Sequence, residues 1–378
     1  MVVFALRGPP AMLDSMIETV PVLLGAAAHP ERVWVYAAFV ALVLVFLALD
    51  LGVFHRRARE VSAREAGAWS VVWTMCALSF SVLVYYAYSA HWLGLGLDVP
   101  IVGSPGATAT VDGATAVKQY LAGYLVEWSL SVDNLFVIAV IFAYFKVPAA
   151  YQHRVLFWGI IGALIMRGGM IALGALLIQR FGWITYVFGG FLMLTAARMA
   201  MSGEEGVDPE RNVLVRAVRR VWPVSTEYDG QRFFTMLPGP EATGAGAGGM
   251  ARGRRAVTPL LLALLVVEFT DVVFAVDSVP AIFSITGDAF IVFSSNVFAI
   301  LGLRSLYFVL ASMLGRFRFL KPALVLILLF VGAKMLLVHS EYKVDTAVSL
   351  GVILGLLAAG VGASLVLPPR EKPPAGEA

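Results

Sequence analysis

Five carboxylates interrupt two apolar runs that are long enough to cross a bilayer, which takes about 20 residues. Glu268, Asp271 and Asp277 lie within Thr258–Ile285, and Glu127 and Asp133 lie within Val117–Tyr144. A charged side chain at the centre of a membrane helix costs about 2.5–3.5 kcal/mol on insertion scales. It persists where it meets a cation, a proton, an arginine or water. Asn134 follows Asp133 and Ser278 follows Asp277, each adding a neutral oxygen donor. Carboxylate, amide and hydroxyl oxygens with no Cys or His beside them form a hard ligand set. Such a set suits Mg²⁺, Ca²⁺ and Mn²⁺, and does not suit Zn²⁺ or Cu⁺. Metal entering it competes with protons, so binding is expected to weaken as pH falls.

The two runs read as copies. Aligning Asp133 with Asp277 places Glu127 on Asp271 and Asn134 on Ser278. Glu268 has no acidic counterpart, because Tyr124 occupies the equivalent position. It shares a helix face with Asp271, three residues on. Six residues of regular helix turn through about 600°, leaving the two acids of each copy about 120° apart. For both to reach one point the helix is expected to bend or unwind between them. Pro280, which deprives the Val276 carbonyl of its donor, is the expected cause in one copy. Back-bonding by Ser129 and Ser131 is the expected cause in the other.

The likeness continues downstream. Met166-Arg167-Gly168-Gly169 matches Leu303-Arg304-Ser305-Leu306, and Ala197-Arg198-Met199 matches Ala333-Lys334-Met335. Arg167 and Arg304 are expected as counter-charges or gating partners, since a guanidinium has no acceptor. Two roles for the acids stay open: locking helices together through these arginines, or holding a cation. Two arginines against five acids leave negative charge in excess, which favours the cation.

Composition bounds the rest. Sixty per cent hydrophobic residues and a mean hydropathy of +0.84 indicate an integral membrane protein. One cysteine, Cys76, excludes a disulfide framework. There is no phosphate-binding Gly-x-x-x-x-Gly-Lys loop to power transport with ATP, and no nucleophile–base pair, so no enzyme is expected. The positive charge sits in loops, as membrane orientation requires, and not in a nucleic-acid-binding patch.

Nine spans are expected: Val33–Val53, Gly67–Leu95, Val117–Tyr144, Arg154–Ile178, Trp183–Met201, Pro259–Ile285, Phe290–Leu314, Pro322–Val338 and Thr346–Leu367. Arg56, Arg57, Arg59 and Arg64 follow the first span, while 96–116 has no Lys or Arg. With Arg316, Arg318, Lys321, Arg370 and Lys372, this puts the N-terminus outside and the C-terminus in the cytoplasm. The fold expected is an all-α polytopic bundle. Its parts are an N-terminal leader with two transmembrane helices (1–116), a three-helix repeat (117–201), a cytoplasmic basic segment (202–257), a second three-helix repeat (258–338), and a last transmembrane helix with its tail (339–378). An odd number of spans per repeat makes the two copies inverted, as in many secondary transporters. Within the basic segment, Arg211–Trp222 reads as an amphipathic helix for the anionic inner leaflet. Glu241–Arg255 reads as a Gly/Ala-rich flexible linker. Gly351, Gly355, Gly360 and Gly362 give the last span a small-residue packing face, which leaves an oligomer open.

Several stretches together resemble the TerC family of integral membrane proteins, named for tellurium resistance. They are Leu49-Asp50-Leu51-Gly52-Val53-Phe54-His55-Arg56, Glu127-Trp-Ser-Leu-Ser-Val-Asp133-Asn134-Leu135-Phe136, Tyr151-Gln152-His153-Arg154-Val155-Leu156-Phe157-Trp158-Gly159, Glu268 through Phe283, and Ser295-Asn296 through Arg304. The resemblance covers about residues 33–340. It implies a multi-pass inner-membrane protein, with manganese export linked to several members and tellurite resistance or metal stress to others. The family's acidic motif falls on Glu127, Asp133, Glu268, Asp271 and Asp277, with Asn134 and Ser278 beside them. The expected function is therefore a secondary transporter exporting a divalent cation, Mn²⁺ foremost, in exchange for protons. The expected partners are the metal ion, protons and the lipid bilayer, with no organic cofactor and no nucleic acid. The alternative is a membrane scaffold or assembly partner, in tellurite resistance or membrane-protein biogenesis.

Overall fold

The computed structural model describes residues 29–52, 62–104, 106–201, 213–237, 254–311, 319–337, 340 and 344–367; within these, several side chains, those of Asp50, Asp133 and Arg254 among them, lie outside the description. The leader 1–28 and the orienting arginines at 56, 57, 59, 316, 318 and 370 also lie outside the described residues.

Capping residues set several helix starts. Ser62 accepts a hydrogen bond from the Glu65 amide at 3.3 Å, Asp112 from Thr115 at 3.1 Å, Asp288 from Phe290 at 2.9 Å and Asp345 from Ala347 at 2.7 Å. Each such cap is worth about 1 kcal/mol. Pro259 opens another helix, where its missing N–H has no role to fill. The described helices are α1 Arg32–Gly52, α2 Ala63–Ser89, α3 Gly113–Phe145, α4 Ala149–Arg180, α5 Ile184–Met201, α6 Val213–Val221, α7 Pro259–Phe283, α8 Ala289–Leu301, α9 Leu303–Ala311, α10 Leu320–Leu336 and α11 Thr346–Val366. Two antiparallel ribbons complete the elements: β1 Val99–Pro100 with β2 Thr108–Ala109, and β3 Phe234–Leu237 with β4 Arg254–Val257.

The protein is an all-α polytopic bundle. Among the described residues, seven helical stretches are long and apolar enough to cross a membrane: 32–49, 64–89, 149–180, 184–201, 259–283, 289–309 and 346–364. The other two expected spans coincide with α3, which is 33 residues long and carries Glu127 and Asp133 mid-length, and with α10, which has 17 residues. The seventh expected span is two helices, α8 and α9, divided at Gly302.

The two three-helix segments interlock. α3, the first helix of one, packs on α8 of the other, and α7 packs in return on α4. α3 and α7 also touch each other, and α5 lies along α10. The α5–α10 crossing is close because a glycine stands on each side. A Cβ on Gly189 would lie 3.0 Å from the Gly332 carbonyl, and one on Gly332 3.0 Å from the Gly189 carbonyl. α8 is the most enclosed element: from Phe290 to Leu301 every residue except Phe293 is buried. A helix apolar all round belongs at the centre of the bundle.

Two expectations are corrected here. α3 and α7 run unbroken through their acids, so no bend or unwound turn separates Glu127 from Asp133 or Asp271 from Asp277. Pro280 lies three residues before the end of α7, in its last turn, where the ladder is about to stop. The linker expected over Glu241–Arg255 ends in structure, since Arg254 and Arg255 belong to β4; residues 241–253 lie outside the described residues. The amphipathic helix expected over Arg211–Trp222 is described as α6, two residues later at its start and one earlier at its end.

Candidate functional site

Arg167 on α4 is the hub of the membrane core, with only 1% of its surface exposed. Its Nη1 donates to Glu127 Oε1 on α3, and also to Asn296 Oδ1 on α8 at 2.8 Å. Its Nε and Nη2 donate to the two carboxylate oxygens of Asp271 on α7, at 3.2 and 2.8 Å. This fork matches the two-oxygen geometry of a carboxylate and is the strong form of the pair. Asn296 Nδ2 donates to Glu127 Oε2 at 3.2 Å, and Ser131 Oγ to Glu127 Oε1 at 3.3 Å. Four helices thus meet at one guanidinium. Glu127 is fully enclosed, while the Asp271 side chain keeps 15% of its surface open. The hub carries two carboxylates and one guanidinium, a net charge of −1.

The geometry explains why no bend is needed. The acids that converge are the equivalents across the two repeats, Glu127 and Asp271, and not the two acids of one helix. Each repeat contributes one of these two aligned acids to the same arginine.

The remaining acids sit along α7. Glu268 is one turn before Asp271, half-buried, with its carboxylate against the bare Cα of Gly162 on α4; any side chain at Gly162 would collide with it. Asp277 is half-buried, and its Oδ1 accepts a hydrogen bond from Thr195 Oγ1 on α5 at 2.9 Å. From Glu268 to Asp277 the three acids span about 14 Å of helix axis. Ser278 is 1% exposed, and its hydroxyl has no hydrogen-bond partner. Asn134 is buried on α3. The Asp133 side chain lies outside the described residues. Arg304 is buried on α9, which packs on α2 and α3. Among the described residues no three His, Cys, Asp or Glu side chains converge as a metal centre.

Two contributors had no independent signal in the sequence. Asn296 is one amide in an apolar stretch, and what gives it a role is its place on the wholly enclosed α8. Thr195 is a single hydroxyl in Leu192–Ala197, with nothing to mark it as a partner of Asp277.

Comparisons with known proteins agree with this architecture. The Integral membrane protein TerC family matches residues 112–372. An uncharacterized membrane protein of Myxococcus xanthus, STKORF319, is 44% identical over 331 residues, covering 88% of this chain and 92% of its own length. The putative membrane-bound redox modulator Alx of Escherichia coli (strain K12) is 41% identical over 323 residues, 85% of this chain and 91% of its own. An uncharacterized membrane protein of Rickettsia bellii is 34% identical over 329 residues, 87% of this chain and 96% of its own. No solved structure matches the chain. With a family match across most of its length and relatives of this identity and coverage, the chain belongs to the TerC family of integral membrane proteins.

Proposed function

We propose that the protein is a secondary transporter that exports a divalent metal cation, with Mn²⁺ as the cargo and protons as the exchanged ion. One observation carries this: carboxylates outnumber guanidinium in the membrane core. Glu127 and Asp271 share the Arg167 guanidinium, while Glu268 and Asp277 lie before and after Asp271 on α7. Removing one elementary charge from water into protein is expensive unless a partner completes the site. A hard cation supplies that partner for oxygen donors. Glu127 is enclosed and committed to Arg167, so the half-buried Glu268 and Asp277, about 14 Å apart along α7, are two successive points at which the ion is met. The buried hydroxyl of Ser278 adds an unclaimed oxygen next to Asp277. Protons and metal compete for these oxygens, which couples export to proton entry. The interlocked, inverted repeats supply the rocking elements that open the site to either side. The inner membrane is the compartment, with the N-terminus outside.

The test is manganese movement. Cells expressing the protein should accumulate less manganese and survive a higher external dose. Unchanged manganese content, with the protein confirmed in the membrane, would sink the transport role.

A scaffold or assembly role has one observation behind it. The described part of the segment between the repeats, 213–237 and 254–257, is bound to the ends of α3, α4 and α7. The name redox modulator, carried by the Escherichia coli relative, adds little for this chain's own chemistry, since dithiol exchange needs two thiols and Cys76 is its single cysteine. Deleting Gln231–Arg255 separates the two roles. A scaffold loses function with ion movement intact, and a transporter of the kind proposed keeps both.

A further inference from the structure

The segment joining the two repeats carries none of the candidate site residues, yet its described part is built in detail. Val215 of α6 is 3% exposed and faces α7. The Ser225 amide donates to Val257 at 2.8 Å and the Val257 amide to Pro223 at 2.9 Å, tying the α6 exit to β4. Tyr228 donates to the Phe145 carbonyl at the end of α3 at 2.7 Å, and the Arg154 guanidinium of α4 lies 4.9 Å from the Phe233 ring centre. Thr258 alone separates β4 from α7. With 25 residues, α7 is about 37 Å long, which exceeds a hydrocarbon core of about 30 Å. The ribbon is therefore held at headgroup depth or just above it.

Its outer surface is both basic and apolar. Five arginines, Arg216, Arg219, Arg220, Arg232 and Arg255, stand against two acids, Glu227 and Asp229, among the described side chains of 213–257. Val221 is 74% exposed and Met236 63%, a large apolar exposure for a small unit. The Trp222 and Phe234 rings lie 5.7 Å apart beside a cavity of about 440 Å³, lined also by Asp229, Arg232, Met236 and Arg255. Asp229 is partly spoken for: it accepts from Thr235 Oγ1 at 3.0 Å and stands 3.6 Å from Arg232. The cavity keeps a net positive charge.

We propose that this cavity binds the phosphate headgroup of an anionic phospholipid from the adjacent leaflet. Arg232 and Arg255 meet the phosphate, and Trp222, Phe234 and Met236 enter the acyl boundary. Arginine forks suit phosphate oxygens, and tryptophan settles at the membrane interface. A free phosphate ion would use the arginines and leave the apolar rim without purpose, which favours a lipid. Basic charge beside exposed aromatics is the pattern of a surface that lies on anionic lipid.

The full chain, purified in neutral detergent, is titrated with dioleoylphosphatidylglycerol or dioleoylphosphatidylcholine and read by native mass spectrometry. Phosphatidylglycerol should bind in preference. One basic residue near a surface is worth about fivefold, so Arg232→Gln with Arg255→Gln should weaken phosphatidylglycerol binding by on the order of 20-fold. Phosphatidylcholine binding and the effect of Arg180→Gln on α4 should stay flat. Equal binding of both lipids, or a preference that survives the double substitution, overturns the proposal. So does full displacement by inorganic phosphate combined with undiminished lipid binding in Trp222→Ala, Phe234→Ala. If the double variant melts early, hydrogen exchange on the unchanged chain decides. Phosphatidylglycerol should protect 222–236 and 254–257, and no protection there refutes the site.

Discussion

Glu127 and Asp271 sit beside Glu268 and Asp277 in one membrane core, and the two pairs live in different surroundings. The first pair is held by three hydrogen bonds from Arg167, Asn296 and Ser131 to Glu127, and by a two-pronged fork from Arg167 to Asp271. The second pair faces a glycine and a threonine, with part of its surface open. The same residue type at similar depth therefore does two jobs. Compensated acids fix how α3, α4, α7 and α8 pack. In the function proposed above, the acids on α7 without a cationic partner are the ones left to meet an ion. Of the two roles weighed from the residue types, the pairing with arginine is seen at Glu127 and Asp271.

The sharpest way to break this contrast is to remove the shared cation. Arg167→Met strands two carboxylates in the core, and breaking a buried pair from one side costs about 3–5 kcal/mol. Membrane abundance and detergent melting temperature should both fall steeply; an unchanged yield would show that the hub is not structural. A smaller loss follows from Glu127→Gln, which keeps the shape and leaves the Asp271 fork in place. Losing the charge from a hydrogen-bonded ionic contact costs about 1.5–3 kcal/mol. The melting temperature should drop less than for Arg167→Met, and an equal drop would mean that Asp271 contributes nothing. Smaller again is Gly162→Ala, which pushes a methyl into the Glu268 carboxylate at a cost of about 1–2 kcal/mol, the low part of the overpacking range. Adding Glu268→Ala should restore the melting temperature. If it does not, the carboxylate is not what fills that space.

The acidic helices and the correspondence of Glu127 with Asp271 were legible because a fixed offset of 144 positions brings Asp133 onto Asp277 and carries the motif with it. What that offset cannot supply is which faces meet. Arg167 is 40 positions from Glu127 and 104 from Asp271, and helical periodicity ranks faces without pairing them. The kink expected at Pro280 failed for a local reason. A proline breaks a helix by removing a donor from its interior, and Pro280 falls where α7 is ending. Asn296 was legible as a motif member and not as a hub contact, because its role depends on α8 being enclosed on every side. The end of the presumed linker was missed because Arg254–Val257 is too short and too basic to announce a strand. Pairing with Phe234–Leu237 makes it one.

The least destabilising change tests the central claim most directly. Asp277→Asn preserves shape, keeps an acceptor for Thr195 and removes one charge from the open pair. Radioactive manganese flux is measured in proteoliposomes containing equal amounts of wild type and variant, with melting temperature recorded alongside. One close charge pair at an effective dielectric of 20 is worth about 4 kcal/mol, so losing it should nearly abolish flux. The melting temperature should hold or rise, since an uncompensated charge has left the core. A variant that moves manganese like the wild type, or that loses its fold instead of its flux, would contradict the assignment of Asp277 to the ion.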